Sequence, residues 1–294
     1  MVSAALKYVP PGRYEEELRS VMLECFPDFW RPRFAAGNFA FPYDVKMFLF
    51  SLDGEKAGQG GFHPCTFAAC GKVWETAGLC DVGILPFFRG KGYSRLLQKA
   101  LCSRIRKRYN PLFIPLYTDK PGVYAGEGFT VYSSRPDGGF LPEISEEKVR
   151  IRGKRERLNA SPLPLWFLRR KPLWKCTNEE MKKRRIHSLY CTGHTFPGKC
   201  VRSDAVWDEL FRDGDSEWVL GEDRYFLFRK GKLLEAYTSV KSDKINLFTP
   251  RHGGQDENKV MVKLCRKEGA NREERKLFGL LKKGEFVFPL TDVF

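Results

Sequence analysis

GLCDVGILPFFRGKGYSRLLQKAL, residues 78–101, decides the fold. An apolar, β-branched run ends at Pro86 and a Gly-rich turn follows at Arg89-Gly90-Lys91-Gly92. A helix opens near Ser94, with Leu97, Leu101 and Ile105 recurring every four residues on one face. A strand running through a glycine turn into a helix aims backbone N–H groups and the positive end of the helix dipole at one spot, an arrangement that suits phosphate. Gly90 and Gly92 permit positive φ and close backbone approach, and Arg89 and Lys91 supply countercharge.

Working outward, residues 13–26 read as an amphipathic helix with Leu18, Val21, Met22 and Cys25 on one face. Residues 46–52 read as a strand turned back by Asp53-Gly54, and Trp74 to Leu85 as a second extended run. LFIPLY (112–117) and FTVYSS (129–134) are further strands, separated by a turn or short helix starting at Pro121-Gly122. The Pro-, Arg- and Lys-rich stretch 135–185 reads as a break. Beyond it lie a helix at 204–211, a strand–turn–strand at 218–240 with Lys230-Gly231-Lys232 at its bend, a strand at 259–265 and a helix at 273–281. The expectation is an α+β protein: a mixed, twisted sheet flanked by helices over 1–140, a basic connecting arm over 141–185, and a separate, smaller α+β domain over 186–294.

Composition narrows the function. At 294 residues and 42% hydrophobic, the chain has room for two folded units. No apolar run reaches the roughly 18–20 residues that span a bilayer. The N-terminus has no long apolar segment before Glu15–Glu17, so a cytoplasmic protein is expected. Nine irregularly spaced cysteines suit buried thiols better than a disulfide framework. Of the formal net charge of +15, residues 141–185 carry +8. A nucleic-acid contact there is the alternative to a solvated connector, but the stretch holds no recognisable nucleic-acid motif.

The segment Ile84 to Ser94 resembles the acetyl-CoA motif of the GNAT superfamily of N-acetyltransferases, Arg or Gln, two residues, Gly, one residue, Gly or Ala, with Ser94 as a small departure at the last position. Tyr124-Ala125-Gly126-Glu127-Gly128-Phe129 is similar to the family's Tyr-x-x-x-Gly-Phe motif at the expected distance downstream. Glu75 to Leu79 and Gly122-Val123-Tyr124 look like the Eis-type (enhanced intracellular survival) subgroup, whose chains continue into a second GNAT-like unit and a sterol-carrier-like domain. The matching motifs cover about residues 70–135, and 186–294 is too short for both extra domains. The resemblance implies an N-acetyltransferase that moves acetyl from acetyl-CoA to a primary amine of a small molecule or peptide. Val82, Gly83 and Ile84 would contact pantetheine through the strand backbone. Arg89, Gly90, Lys91, Gly92, Tyr93 and Ser94 would hold the pyrophosphate, and Tyr124 would protonate the departing thiolate. A non-catalytic acyl-CoA sensor is the other reading of the same motifs.

The proton acceptor is less legible. Asp81, Glu75 and His63 lie on or near the cofactor strand. The resemblance to Eis-type enzymes, which use the chain's terminal carboxylate, implies that of Phe294, at the end of the apolar FVFPLTDVF, as the proton acceptor, directly or through a water. His187, Cys191, His194 and Cys200 have zinc-binding side chains, but their spacing matches no finger, and no metal is expected. His63, Cys65, Cys70 and Cys80 read as core positions.

Overall fold

The computed structural model describes residues 2–35, 37, 45–132, 150–151, 154–155, 179–192, 199–212, 216–220, 224–229, 232–238, 247–248, 259–265 and 270–283. The N-terminal half alternates strands and helices: β1 (Ala4–Val9), α1 (Tyr14–Cys25), α2 (Pro27–Ala35), β2 (Lys46–Leu52), β3 (Glu55–Ala69), β4 (Lys72–Ile84), α3 (Tyr93–Tyr109), β5 (Phe113–Thr118), α4 (Gly122–Ala125) and β6 (Thr130–Val131). Beyond them follow β7 (Arg150–Ile151), β8 (Lys154–Arg155), a helix at Glu179–Thr192, β9 (Lys199–Cys200) and a helix at Asp204–Arg212. The chain continues through β10 (Ser216–Leu220), β11 (Arg224–Arg229), β12 (Lys232–Thr238), β13 (Leu247–Phe248), β14 (Lys259–Leu264) and a helix at Arg272–Lys283.

The main sheet runs β1-β2-β3-β4-β5-β14-β6, with β9 added to β3. All its pairings are antiparallel except β4 with β5. The β2–β3 hairpin turns on Asp53 (φ 49°) and Gly54 (φ 87°), the left-handed pair that matches strand twist. Helix α3 covers one face, burying Leu97, Leu101 and Ile105 completely against Phe48, Phe62, Leu79, Ile114 and Leu116. Each such side chain contributes roughly 1.5–3 kcal/mol. Gly60 on β3 lets the helix come close, because a Cβ there would stand 2.8 Å from Leu101 Cδ1. Helices α1 and α2 cover the other face through Leu18, Val21, Met22, Trp30 and Phe34.

A second, smaller α+β layer has its own core. Sheet β10-β11-β12-β13 packs under the helices at 179–192 and 204–212 through Tyr190, Trp207, Trp218, Tyr225 and Tyr237. At its centre Arg202 and Glu235 form a fully buried ion pair, Nη2 to Oε2 at 2.5 Å, and the Tyr225 hydroxyl donates to the same carboxylate. The Arg202 guanidinium also lies 4.3 Å from the Tyr190 ring centroid and 4.9 Å from that of Trp207. Among the described residues no helix is long and apolar enough to cross a membrane.

The boundaries expected from sequence need two corrections. Helix Glu179–Thr192 straddles residue 185, so the connecting arm expected over 141–185 ends in a folded element; most of the rest of that arm lies outside the described residues. More consequentially, the main sheet does not close within 1–140. Strand β14, from the expected second domain, lies between β5 and β6, its six residues paired with Phe113–Thr118. β9 likewise joins β3, and helix 272–283 packs Leu277 and Leu281 with Phe67 and Phe113. Alternation in VMVKL marks a strand but not its partner, which is set by the open edge of β5. A chain cut after residue 140 leaves that edge and the floor under Phe113 bare. Such a fragment is expected to aggregate or to melt without a cooperative transition; a monomeric fragment with a sharp thermal transition by circular dichroism would show that β14 is dispensable.

Candidate functional site

The site grows from one irregularity in β4. Asp81 has φ 49°, a left-handed backbone in mid-strand that a short acidic side chain tolerates better than most. The register slips there: Gln59 pairs with Gly83 but Gly61 pairs with Cys80, so β4 holds one residue more than β3. Such a bulge bends its strand. On the other side, β4 and β5 are stitched by the Leu79–Leu116 pair and by the Thr76 hydroxyl, which donates to Phe113 O at 2.5 Å. No ladder pairing joins them beyond Leu79. Beyond the bulge Val82, Gly83 and Ile84 have no ladder partner on β5, and this unpaired stretch is the candidate opening.

At the far end of that stretch, Leu85 N donates to Ala57 O, and a single 3₁₀ turn, Pro86–Phe88, redirects the chain. Arg89 Nε donates to Ile84 O at 2.8 Å, pinning the loop to the strand end. Gly90 (φ 75°) and Gly92 (φ 79°) both adopt the left-handed conformation that L side chains resist, with nothing within 4 Å of where a Cβ would stand. The turn is thus a cradle open on its outer side. Gly92 caps α3, with no side chain bonded to the cap and no acidic residue in the first turn, so nothing in that turn competes for an anion. Tyr93 and Ser94 begin the helix and are half-buried. Lys91 stands exposed with its ammonium 4.8 Å from the Phe87 ring.

Across the opening stands Tyr124, on the short helix α4. Its ring meets Phe129 edge-on at 6.1 Å, and α4 is tied to α3 by Gln98 Nε2, which donates to Val123 O at 3.2 Å. The phenol is half-buried and forms no hydrogen bond among the described residues. Burial, reinforced by the nearby Cys80, Asp119 and Asp81, pushes it up to about 12, so it stays protonated across the physiological range. Asp81 lies near enough to act electrostatically on that phenol. Burial raises its carboxyl to about 6 against the opposing pull of the Cys80 thiol, which donates to it, and of the Arg33 guanidinium. A carboxylate near 6 beside a protonated phenol is a base and an acid whose environments set them apart.

Not every sequence candidate arrives here. Glu75 is exposed and six residues back along β4, about 20 Å away at strand rise. His63 is buried on β3 opposite Gly78 and also belongs to the stitched part of the sheet. Phe294 lies outside the described residues. His187 and Cys191 meet at 3.5 Å on one helix, whereas Cys200 is buried in β9 and His194 is not described. Among the described residues no three His, Cys, Asp or Glu side chains are grouped to hold a metal. Sequence reading missed the bulge itself; its one signal is an acidic residue set inside an apolar strand.

The residues present fit coenzyme A: a parted strand edge for an extended amide arm, and an open glycine turn at a helix N-terminus for a pyrophosphate. No protein-family model matches the sequence, and no curated protein matches it significantly. Solved structures do. A GCN5-related N-acetyltransferase from Kribbella flavida superposes with a TM-score of 0.50 at 12% identity, over 90% of this chain and 71% of that one. A GCN5-related N-acetyltransferase from Anabaena variabilis gives 0.44 at 15% identity over 82% and 56%, and Eis1 from Mycobacterium abscessus 0.46 at 15% over 77% and 53%. The chain spans little more than half the length of those last two proteins. Its mixed sheet, parted at β4 and β5 and flanked by helices, has the GNAT acetyltransferase fold.

Proposed function

We propose that this protein is an acetyl-CoA-dependent N-acetyltransferase acting on a primary amine of a small molecule or peptide. The observation that carries the reading is the opening between β4 and β5, which has an anion cradle at one end and Tyr124 with Asp81 at the other. Acetyl-CoA supplies an acetyl group on a good leaving thiolate. The chain's own contribution is positional and electrostatic. The backbone of Val82, Gly83 and Ile84 offers the parted edge as a track for the pantetheine amides. Arg89, Gly90, Lys91, Gly92, Tyr93 and Ser94 receive the pyrophosphate through backbone N–H groups, the helix dipole and two cations. Asp81 takes the proton of the incoming ammonium, directly or through a water. Tyr124 donates its hydroxyl proton toward the departing sulfur. With its acidity weakened by burial, its first effect is a hydrogen bond that strengthens as negative charge builds. The terminal carboxylate of Phe294 is the rival base.

Turnover is tested by following CoA release with a panel of amines; binding without turnover on any amine would favour an acyl-CoA sensor. Gly92→Glu sets a strained, anionic side chain in the cradle and is expected to weaken CoA binding by about a hundredfold in calorimetry. Gly92→Asn, which tolerates positive φ without charge, retains most of it. Equal affinity in the Glu variant would remove the cradle from the site.

Tyr124→Phe keeps the ring against Phe129 and removes the proton. Its kcat is expected to fall roughly 10²- to 10⁴-fold with CoA affinity nearly unchanged. Near-normal turnover would make the hydroxyl dispensable.

Asp81 must be ionised to accept a proton, so kcat/KM is expected to rise with pH up to about 6 and then level. Asp81→Asn abolishes that acid limb and lowers the plateau. The same raised pKa has a stability consequence of opposite sense. The wild type loses stability as pH climbs from near 4 to 6, because its ionised carboxylate is poorly accommodated, so Asp81→Asn is the more stable protein at pH 8 and loses that advantage below pH 4. A variant with full turnover and an unchanged limb would move the base to the Phe294 carboxylate.

A further inference from the structure

The β4 bulge borders the core that α1 and α2 close. Cys80 packs there with Trp30, Met47 and Leu49, and its thiol donates to Asp81. From the last turn of α2, Arg33 reaches the same neighbourhood, near enough to Asp81 to pull its carboxyl down against burial. The guanidinium is half-buried, 4.1 Å from the ring centroid of Phe29 and 5.7 Å from that of Trp30. Among the described residues it makes no hydrogen bond and no ion pair. Arg19 of α1, which also lies against a ring (Phe34, at 5.1 Å), is by contrast paired with Glu15 at 2.9 Å. Aromatic rings hold the Arg33 head in place but supply no hydrogen-bond acceptor, so its fork of N–H donors stays available to an anion.

A second polar group on this face is unmet. Gln59 of β3 lies in one cross-strand row with Leu49 and Gly83, two residues along β4 from Asp81. The end of α1 sits directly on that row: a Cβ on Gly83 would stand 2.8 Å from Cys25 Cβ and 2.9 Å from Phe26 Cε2. Gln59 is wholly buried, and neither its amide nitrogen nor its amide oxygen has a hydrogen-bond partner among the described residues. A buried amide left so is costly, and this face wants a polar partner that the chain itself does not supply.

The two charges set opposite demands on an acceptor. An ammonium is drawn to Asp81 and repelled by Arg33, unless it brings a negative charge of its own. Resting on the acetyltransferase reading above, we propose that the acceptor is a primary amine that also carries a carboxylate, an amino acid or a short peptide, and that Arg33 binds that carboxylate while Asp81 takes the proton of the ammonium. A planar guanidinium and a carboxylate pair through two parallel N–H···O bonds, which fixes the orientation of the acceptor as well as its charge.

CoA release by the full-length chain tests this on matched sets of amines: an amino acid or dipeptide, the same compound with its carboxyl amidated, and a diamine of equal length. The wild type is expected to show a kcat/KM about tenfold or more higher on the free carboxylate than on the amide. Arg33→Ala is expected to lower kcat/KM on the carboxylates by about tenfold, through KM, and to leave the amidated forms unchanged. Arg33→Glu is expected to reverse the order and favour the diamine. Both variants are expected to bind CoA as the wild type does in calorimetry. Equal turnover of free and amidated forms by the wild type, or an equal loss on both in Arg33→Ala, overturns this inference and leaves the acetyltransferase reading standing. If no amine in any set releases CoA, that reading falls and this inference falls with it.

Discussion

The bulge at Asp81, an extra residue in β4 relative to β3, bends β4 just where its ladder pairing with β5 ends. That constraint, imposed by Asp81 in β4, organises the rest of the molecule. The Thr76–Phe113 hydrogen bond and the Leu79–Leu116 pair close one end of the seam, so the bend has to appear as an opening at the other. Backbone groups left unpaired inside a protein are costly unless something else meets them. A ligand that arrives as an extended chain with its own amides answers that need.

Around this seam, polarity is placed sparingly. Asp81 and Tyr124 tolerate burial because each can remain neutral over part of the pH range. The buried Arg202–Glu235 pair behaves differently. Both partners are wholly enclosed, and their charges are compensated by each other, by the Tyr225 hydroxyl and by the rings of Tyr190 and Trp207. One arrangement leaves a carboxyl whose pKa is raised by burial, and the other holds a carboxylate in a compensated ion pair. What separates them is the number of partners each carboxylate has.

Much of this was legible in the sequence because local chemistry dictates it. Gly90 and Gly92 announced a turn that only glycine accommodates, the four-residue spacing of Leu97, Leu101 and Ile105 announced α3, and Asp53-Gly54 announced a hairpin. Tyr124 was found by its motif rather than by its surroundings. Other elements were hidden for physical reasons. Helix α2 carries Pro32 in its interior, which reads as a breaker until Trp30 and Phe34 are seen buried. Strand pairing is non-local, so β14 could be recognised as a strand but not assigned to the sheet edge it completes. The left-handed φ of Asp81 leaves one faint mark, an acidic residue inside an apolar run. Helix Glu179–Thr192 was absorbed into a basic stretch because its charged residues outnumber its apolar ones, although Ile186, Leu189 and Tyr190 are buried.

The position of β14 also bears on how the protein is made. β5 and β6 leave the ribosome long before the strand that belongs between them, since residues 132–258 must be synthesised first. At roughly 5–20 residues per second, that interval is on the order of ten seconds. Throughout it, the emerging chain presents Phe113, Ile114 and Leu116 along an open strand edge to whatever it meets. Slowing translation across 132–258 lengthens the exposure of that edge.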